Sequence, residues 1–273
     1  MPTLTALFAY ALCIILPLAA LTHGKRGAHT LTIAVVLVYH IGSAMLQSAG
    51  NLNNIIPLFG MLGAYALARR FEVARGVLMQ AAAVLSLVAV VTVRSDWFNG
   101  ANAIGAIMAM VCALGPSPVH VIGLMFTLSR GAWASVITYM RLPLLLVLVC
   151  VGVLGVLRWE TVTDRVNTQS EAVWQWSRSP WVGHGSGAFP VLNRGKEHAD
   201  NMPITVAVEG GLLGLAVYAW AAWRLWRSPE LRPLLGAVAV HGLLDYPLFW
   251  PLPSIFFGGI LAVLEKGGLG IEN

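Results

Sequence analysis

Apolar runs that reach or approach the length of a membrane-crossing helix recur along this chain, and they constrain its fold more than any other feature. A transmembrane helix needs about 20 consecutive apolar residues, whereas a strand of a membrane barrel has about 10 residues of alternating polarity. The runs therefore predict helices, and we expect those helices to cross a membrane. The regular runs lie at residues 3–21, 30–48, 54–68, 76–93 and 204–222.

Longer and less regular apolar stretches cover residues 103–128, 131–157 and 233–264. The last is long enough for a hairpin of two short helices, which would break at "DYPLFWPLP" because its prolines remove helical donors. The other two predict either two long helices or two compressed hairpins that turn at "GPSP" and "MRLP". About eight to ten crossings follow for the whole chain.

Composition supports a membrane protein. Hydrophobic residues make up 58% of the 273 residues and charged residues only 11%, with a mean hydropathy of +0.75. Soluble domains usually carry about 25% charged residues. We therefore predict an all-α integral membrane protein, a polytopic helical bundle with one large extracytoplasmic loop. Its cysteines are expected to pack in the core and form no disulfide: Cys13, Cys112 and Cys150.

Basic loops set the expected orientation. "HGKRGAH", "RRFEVAR" and "WRLWRSPELR" carry the Lys and Arg residues that favour the cytoplasmic side. The polar stretch 158–203, the outer segment, then lies outside the cytoplasm. The net charge of +5 fits contact with anionic lipid, and no nucleic-acid-binding patch is present. The chain divides into N-terminal helices (1–93), motif-bearing helices (94–157), the outer segment (158–203) and C-terminal helices (204–273). The first apolar run lacks a basic leader and an A-x-A-like site, so we expect a retained helix.

The outer segment is the only sizeable polar insertion in the sequence, so we expect chemistry there. Its tryptophans suit an amphipathic helix at the membrane interface, where an indole keeps its N–H in water. Gly183, Gly185 and Gly187 alternate in "GHGSGAF", a spacing that allows positive φ angles and close backbone approach to a ligand. A tight re-entrant turn is the alternative interpretation.

Five motifs then occur in an order that resembles a known family. They are "RSDWFNGANAIG", "TLSRGAWAS", "DRVNTQSEAVWQWSRSPWVGHGSGAF", "HADNMPITVAVEGGLLGL" and "VHGLLDYPLFWP". Together, from Arg94 to the end, they resemble the O-antigen ligase and O-antigen polymerase superfamily of bacterial membrane glycosyltransferases. The early helices are fewer and the runs around "SRG" are shorter than is usual there, so the chain resembles a shortened member.

This resemblance implies transfer of a polyprenyl-diphosphate-linked glycan to an acceptor such as lipid A-core, on the periplasmic face of the bacterial inner membrane. It also implies that no metal or other cofactor takes part and that arginines bind the diphosphate. The sequence agrees, because it has no Asp-x-Asp pair and a guanidinium binds phosphate oxygens in a bidentate way. The candidate arginines are Arg130 and Arg165, with Arg94 and Arg194 in reserve.

Two residues compete for the role of general base. The position where the superfamily usually has its catalytic His is Asp200 here, and His198 lies two residues earlier. An imidazole with a pKa of about 6.5 suits the role, whereas a carboxylate with a pKa of about 3.9 is a weaker base that orients a hydroxyl in a desolvated pocket. Both residues stay candidates at this point.

The resemblance also implies a set of substrate-binding residues. Three of them, Glu209, His241 and Asp245, fall within predicted membrane helices, where ionisable groups pair or line a cavity. We expect these three to support the site structurally, with substrate contact as the alternative. His241 and Asp245 are four residues apart and so would share one helical face, where they could bond each other. The full set is Arg94, Asn102, Gly183, Gly185, Gly187, Arg194, Asn201, Glu209, His241 and Asp245.

Other functions stay open from the sequence alone. Within the same superfamily, the chain could be a polysaccharide polymerase or a protein O-oligosaccharyltransferase. In other classes, it could be a non-enzymatic transporter or an inactive truncated relative. A transporter is expected to show matched, interrupted helices in two repeated halves, and the sequence contains no such repeat.

Overall fold

The described part of this computed structural model is helical throughout. It comprises residues 15, 29–46, 55–71, 75–92, 100–115, 118–127, 129–139, 159–193 and 198–268. Its helices are α1 (Thr30–Leu46), α2 (Ile55–Arg70), α3 (Arg75–Thr92), α4 (Gly100–Leu114), α5 (Pro118–Thr127), α6 (Arg130–Tyr139), α7 (Trp159–Arg178), α8 (Phe189–Leu192), α9 (Met202–Trp226), α10 (Arg232–Gly242) and α11 (Pro251–Gly268). No strand occurs in these ranges, so the predicted all-α class is confirmed for them.

The apolar runs predict these helices to within a few residues. α1, α2, α3 and α9 each cover one of the regular runs. The run at 3–21 lies outside the described residues except for Ile15, so its retention stays a prediction. The predicted break into two helices is confirmed, because α10 ends at Gly242, a 3₁₀ turn covers Pro247–Phe249, and α11 begins at Pro251.

The stretch between residues 103 and 139 forms short helices. α4 ends at Leu114, and α5 packs back against both α4 and α3, so the chain reverses at "GPSP" as one alternative predicted. α6 packs against α4 at Gly105, where a Cβ would lie 2.8 Å from the Ser129 Cβ. The predicted turn at "MRLP" lies outside the described residues.

α11 lies at the centre of the bundle, in contact with α2, α3 and α4. It crosses α2 at Gly258, where a Cβ would lie 2.2 Å from the Met61 carbonyl oxygen, so only glycine allows this approach. Fully buried apolar and aromatic side chains from α2, α4 and α11 belong to the hydrophobic core here. They include Tyr65, Met108, Ile260 and Leu261.

The ends of the helices meet in two groups. At one end, the His29 amide donates to the Tyr65 hydroxyl at 3.2 Å, and that hydroxyl donates to Glu265. At the other end, the Asn201 side chain donates to the Leu243 carbonyl at 2.9 Å. His29 and Arg69, the described end residues of two loops predicted to be cytoplasmic, therefore lie at the same end.

α9 (Met202–Trp226) is the one described helix whose length and composition allow it to cross a membrane. The apolar segments Thr30–Leu46, Asn102–Cys112 and Pro251–Glu265 are shorter. Buried helices of soluble proteins reach the same length and composition. The predicted eight to ten crossings, and the division into four segments, stay predictions.

Candidate functional site

Arg165 connects the outer segment with the C-terminal helices. It lies on α7, and its Nη1 donates to the Leu244 carbonyl at 2.5 Å. Its Nη2 lies 3.8 Å from both the Asp200 Oδ1 and the Asp245 Oδ2. The Asp245 side chain is only 3% exposed and accepts the Tyr246 amide at 2.9 Å. One guanidinium thus faces two carboxylates that are far apart in sequence.

Both candidate bases lie beside this guanidinium. The His198 Nδ1 is 3.6 Å from the Asp200 Oδ1, and it accepts a hydrogen bond from the Asp200 amide at 3.2 Å. Tyr246 and Trp250 flank the imidazole, with ring centroids 5.5 and 5.7 Å away. We call Arg165, His198, Asp200 and Asp245 the Arg165 cluster.

The Arg165 cluster contains a set of possible metal ligands. The ligand atoms of His198, Asp200 and Asp245 all lie within 4.8 Å of one another. The Arg165 guanidinium already supplies a positive charge 3.8 Å from both carboxylates. At about 4 Å and an effective dielectric constant of about 20, two unit charges of like sign repel by about 4 kcal/mol. The guanidinium therefore competes with any cation for these two carboxylates.

Asn201 holds this cluster against the helix that follows. Its Oδ1 caps α9 by accepting the Ile204 amide at 3.0 Å, and its Nδ2 donates to the Leu243 carbonyl. Asp200 precedes the cap with φ of 52°, a left-handed conformation that is uncommon outside glycine. Asn201 was expected to bind substrate, and in the described structure its side chain fixes the backbone next to Asp200.

The glycine-rich turn fits into a break in α9. An uninterrupted helix was expected over 204–222, but Gly211 has φ of 60° and ψ of −157°. In a regular helix the amides of Leu212 and Leu213 would donate four residues back, to the carbonyls of Val208 and Glu209. They donate instead to the carbonyls of residues 180 and 181, at 2.8 and 3.0 Å.

The turn also donates hydrogen bonds to the two carbonyls that lose their helical donors at this break. The amides of His184 and Gly185 donate to Val208 and Glu209 at 2.9 and 2.8 Å. Two helical bonds are thus replaced by four bonds between turn and helix. The Leu212 and Leu213 amides and the Val208 and Glu209 carbonyls thus all keep a backbone partner.

Two glycines make this contact possible. A Cβ on Gly183 would lie 2.4 Å from the Glu209 backbone, and one on Gly211 would lie 2.4 Å from the Trp181 backbone. The predicted positive φ angles are confirmed, at 68° for Gly183, 103° for Gly185 and 74° for Gly187. The sequence predicted close backbone approach to a ligand, and in the described residues the backbone of Gly183 approaches α9 instead.

Polar side chains of α1 hold the same turn. The His40 Nδ1 lies 2.5 Å from the Ser186 Oγ, and its Nε2 lies 2.7 Å from the Tyr218 hydroxyl. The Ser43 hydroxyl accepts the Ser186 amide at 3.2 Å. We call these four residues the His40 network. Nothing was assigned to His40 from the sequence, although an ionisable residue within an apolar predicted helix was an available signal.

Glu209 lies buried under the turn. It is 2% exposed, and its Oε1 accepts the Phe189 amide at 3.4 Å. The Glu209 carboxylate therefore holds the start of α8, in agreement with the expected structural role of Glu209. Substrate binding by Glu209 stays a prediction.

The predicted pairing of His241 with Asp245 is wrong for the described structure. α10 ends at Gly242, so the two residues do not share a helical face, and Asp245 instead faces Arg165. His241 is 1% exposed and packs on Gly131, where a Cβ would lie 3.0 Å from its ring. Its two ring nitrogens have no hydrogen-bond partner among the described residues.

Three of the remaining predicted residues have side chains that the structure does not describe. Arg130 begins α6, and its side chain lies outside the described part of the chain, as do Arg94 and Arg194 altogether. Asn102 is half-buried in the first turn of α4. Their roles stay predictions.

Neither a protein-family model nor a curated protein matches this chain. Interpretation of the site therefore depends on its own geometry and on the motif resemblance.

Proposed function

We propose that this chain is a membrane glycosyltransferase of the O-antigen ligase type. It would transfer a glycan from polyprenyl diphosphate to an acceptor such as lipid A-core, at the periplasmic face of the bacterial inner membrane. The observation that carries this proposal is the Arg165 cluster. Three separate motif segments contribute to it, with Arg165, Asp200 and Asp245 as their members.

Exposed apolar side chains support the membrane setting. On α1, Leu31, Val38 and Met45 are each more than half exposed and follow one another at intervals of seven residues. Residues seven apart lie on one face of a helix. A stripe of this kind would be unfavourable in water and is typical of contact with lipid.

The reaction needs a cation for the leaving diphosphate and a base for the acceptor hydroxyl. The acceptor oxygen attacks the anomeric carbon, the bond to the diphosphate oxygen breaks, and the hydroxyl proton passes to the base. Arg165 suits the diphosphate because its Nη2, 3.8 Å from both carboxylates, is too far to hydrogen-bond either one. A phosphate oxygen could therefore accept from it.

Within this proposal we assign the base to Asp200. The His198 Nδ1 already accepts the Asp200 amide proton, so a neutral imidazole in this arrangement carries its proton on Nε2. Such a ring donates a hydrogen bond and orients a hydroxyl. The Asp200 side chain is the more exposed of the two, at 24% against 15% for His198.

A transporter is the second candidate, because discontinuous helices are common at transporter binding sites. In α9, however, the backbone groups freed at Gly211 bond to the glycine-rich turn. They are therefore engaged within the protein and do not face a substrate. Because these backbone groups already have partners, the break favours the enzyme over the transporter.

The experiment that tests the proposal uses the purified full chain in lipid nanodiscs. It is given a polyprenyl-diphosphate glycan together with lipid A-core, a second glycan unit or an acceptor peptide, in the presence of EDTA. We expect transfer to one acceptor, and the acceptor used separates ligase, polymerase and protein transferase. Inserted protein that transfers to none of them, with or without added divalent ions, would contradict the proposal.

A further inference from the structure

We propose that the turn at residues 180–182 is a lipid-contacting element that enters the outer leaflet of the bilayer. The indole of Trp181 is 72% exposed, and the Val182 side chain is about half exposed. Leu212 and Leu213 on α9 are exposed beside them, held there by their backbone bonds to the turn. We call these four exposed apolar side chains, which lie on two segments joined by backbone hydrogen bonds, the Trp181 patch.

The backbone of this turn is suited to an apolar surrounding. Hydrocarbon offers no hydrogen-bond partner, so a chain reversal at that depth must satisfy its polar groups within the protein. The carbonyls of Pro180 and Trp181 accept from α9. Ser179 bonds both backbone groups of Gly183, accepting from its amide at 3.0 Å and donating to its carbonyl at 2.7 Å. The turn thus combines exposed apolar side chains with carbonyls at residues 180 and 181 that are bonded within the protein.

Continuity with α9 identifies lipid as the partner. Beyond Leu213 the exposed positions of this helix are Ala216, Ala219, Ala222, Trp223 and Trp226, which follow one face at helical spacing. From Leu212 to Trp226 the stripe is about 21 Å long at 1.5 Å per residue, most of the hydrocarbon thickness. Indoles lie at both of its ends. Trp is enriched at both interfaces of a membrane, whereas binding of a protein partner would not require an indole at each end of the stripe.

The inference rests on membrane insertion of the chain and is independent of the transfer chemistry. Its test uses a background in which Cys13, Cys112 and Cys150 are replaced by Ala. Single nitroxide labels are attached after Trp181→Cys, Val182→Cys, Ala219→Cys or Ser177→Cys. The Ala219 label is the reference for lipid on α9, and the Ser177 label is the reference for water on α7, because both positions are exposed.

Power-saturation EPR in nanodiscs then compares access of oxygen, which concentrates in lipid, with access of a water-soluble nickel chelate. We expect the oxygen-to-nickel ratio at residues 181 and 182 to approach that at Ala219 and to exceed that at Ser177 several-fold. Where the Trp181 variant fails to fold, the Val182 label decides, because that variant keeps the native indole.

Three outcomes would overturn the inference. Nickel access at the turn equal to that at Ser177, with Ala219 protected, places the turn in water and leaves the membrane proposal intact. Protection of the turn from both reagents indicates a covering protein surface, such as a second copy of the chain. Nickel access at Ala219 as well would remove the membrane setting itself, and with it the proposed function.

Discussion

Two acid–base clusters lie at opposite ends of the helices, and they are built differently. The Glu265 cluster comprises His29, Tyr65, Arg69 and Glu265, and Arg69 lies 3.7 Å from the carboxylate that accepts the Tyr65 hydroxyl. Its side chains come from regular helices or from the residue next to one. In the Arg165 cluster, His198 and Asp200 come from irregular backbone before α9, and Asp245 from the linker after α10.

This difference separates a stabilising cluster from a candidate site. In the Glu265 cluster the Tyr65 hydroxyl is hydrogen-bonded to the carboxylate, and burial lowers the pKa of His29, so that His29 favours its neutral form. In the Arg165 cluster the guanidinium stays 3.8 Å from each carboxylate, and Asp200 adopts an uncommon backbone conformation. The Arg69 guanidinium also lies 3.7 Å from its carboxylate, and its Nε and Nη1 have no hydrogen-bond partner among the described residues, so the engagement of charge does not distinguish the two clusters. The backbone around Asp200 does distinguish them, because strained backbone is more typical of sites that meet a ligand.

The largest effect is expected for Asp200→Asn. Loss of a general base typically lowers a rate by about 10² to 10⁴, and the amide keeps the size of the side chain. We expect the glycan-transfer rate to fall by that factor, with normal membrane insertion. Asp164→Asn, on the exposed face of α7, is the matched control and should leave the rate unchanged. A fully active Asp200→Asn enzyme that loses activity on His198→Ala would reverse the assignment of the base.

The second prediction concerns the backbone contact between the glycine-rich turn and α9. Gly183→Ala combines a left-handed φ with a Cβ 2.4 Å from the Glu209 backbone, and it should cost about 2 to 6 kcal/mol of stability. Thermal unfolding in nanodiscs measures the loss. Gly236→Ala is the control, because no atom lies within 4 Å of its added Cβ on α10 and helix propensity favours Ala by about 1 kcal/mol. Equal stability of the two variants would argue against the contact between turn and helix.

The third prediction tests the opposite end. Tyr65→Phe removes the hydroxyl that bonds to both Glu265 and the His29 amide, and it should destabilise the fold by about 1 to 3 kcal/mol. The transfer rate per folded molecule should not change, since this cluster takes no part in the proposed chemistry. A large loss of rate with unchanged thermal stability would mean that the two ends do not differ in function.

Much of the helical part of this fold could be predicted from the sequence. Long apolar runs mark helices, because a buried stretch of that length must satisfy its backbone polar groups within a regular element. The prolines of "DYPLFWPLP" mark the break between α10 and α11, because proline lacks an amide donor. The neighbourhood of His198 and Asp200 could also be predicted, since they are two residues apart.

The contacts between distant segments could not be predicted in this way. The break at Gly211 is stabilised by bonds to residues 180–185, and nothing in the local pattern of α9 identifies that partner. Asp245 was expected to remain on the helix of His241, but α10 ends earlier and the carboxylate faces Arg165, 80 positions back in sequence. Tertiary partners, which depend on how the helices pack, decide both features.

The smallest effect is expected from metal ions. His198, Asp200 and Asp245 are arranged as a ligand set, yet Arg165 holds a positive charge against both carboxylates. Because that charge repels a cation by several kcal/mol, EDTA or added Mn²⁺ should change the transfer rate by less than about twofold. Arg165→Ala removes the repulsion, so this variant should bind Mn²⁺ more tightly than the native chain in an EPR titration, although its transfer activity is lost. Inactivation of the native protein by EDTA with recovery on Mn²⁺ would show instead that Arg165 and a metal act together. A bound metal would then be what distinguishes the Arg165 cluster from the Glu265 cluster.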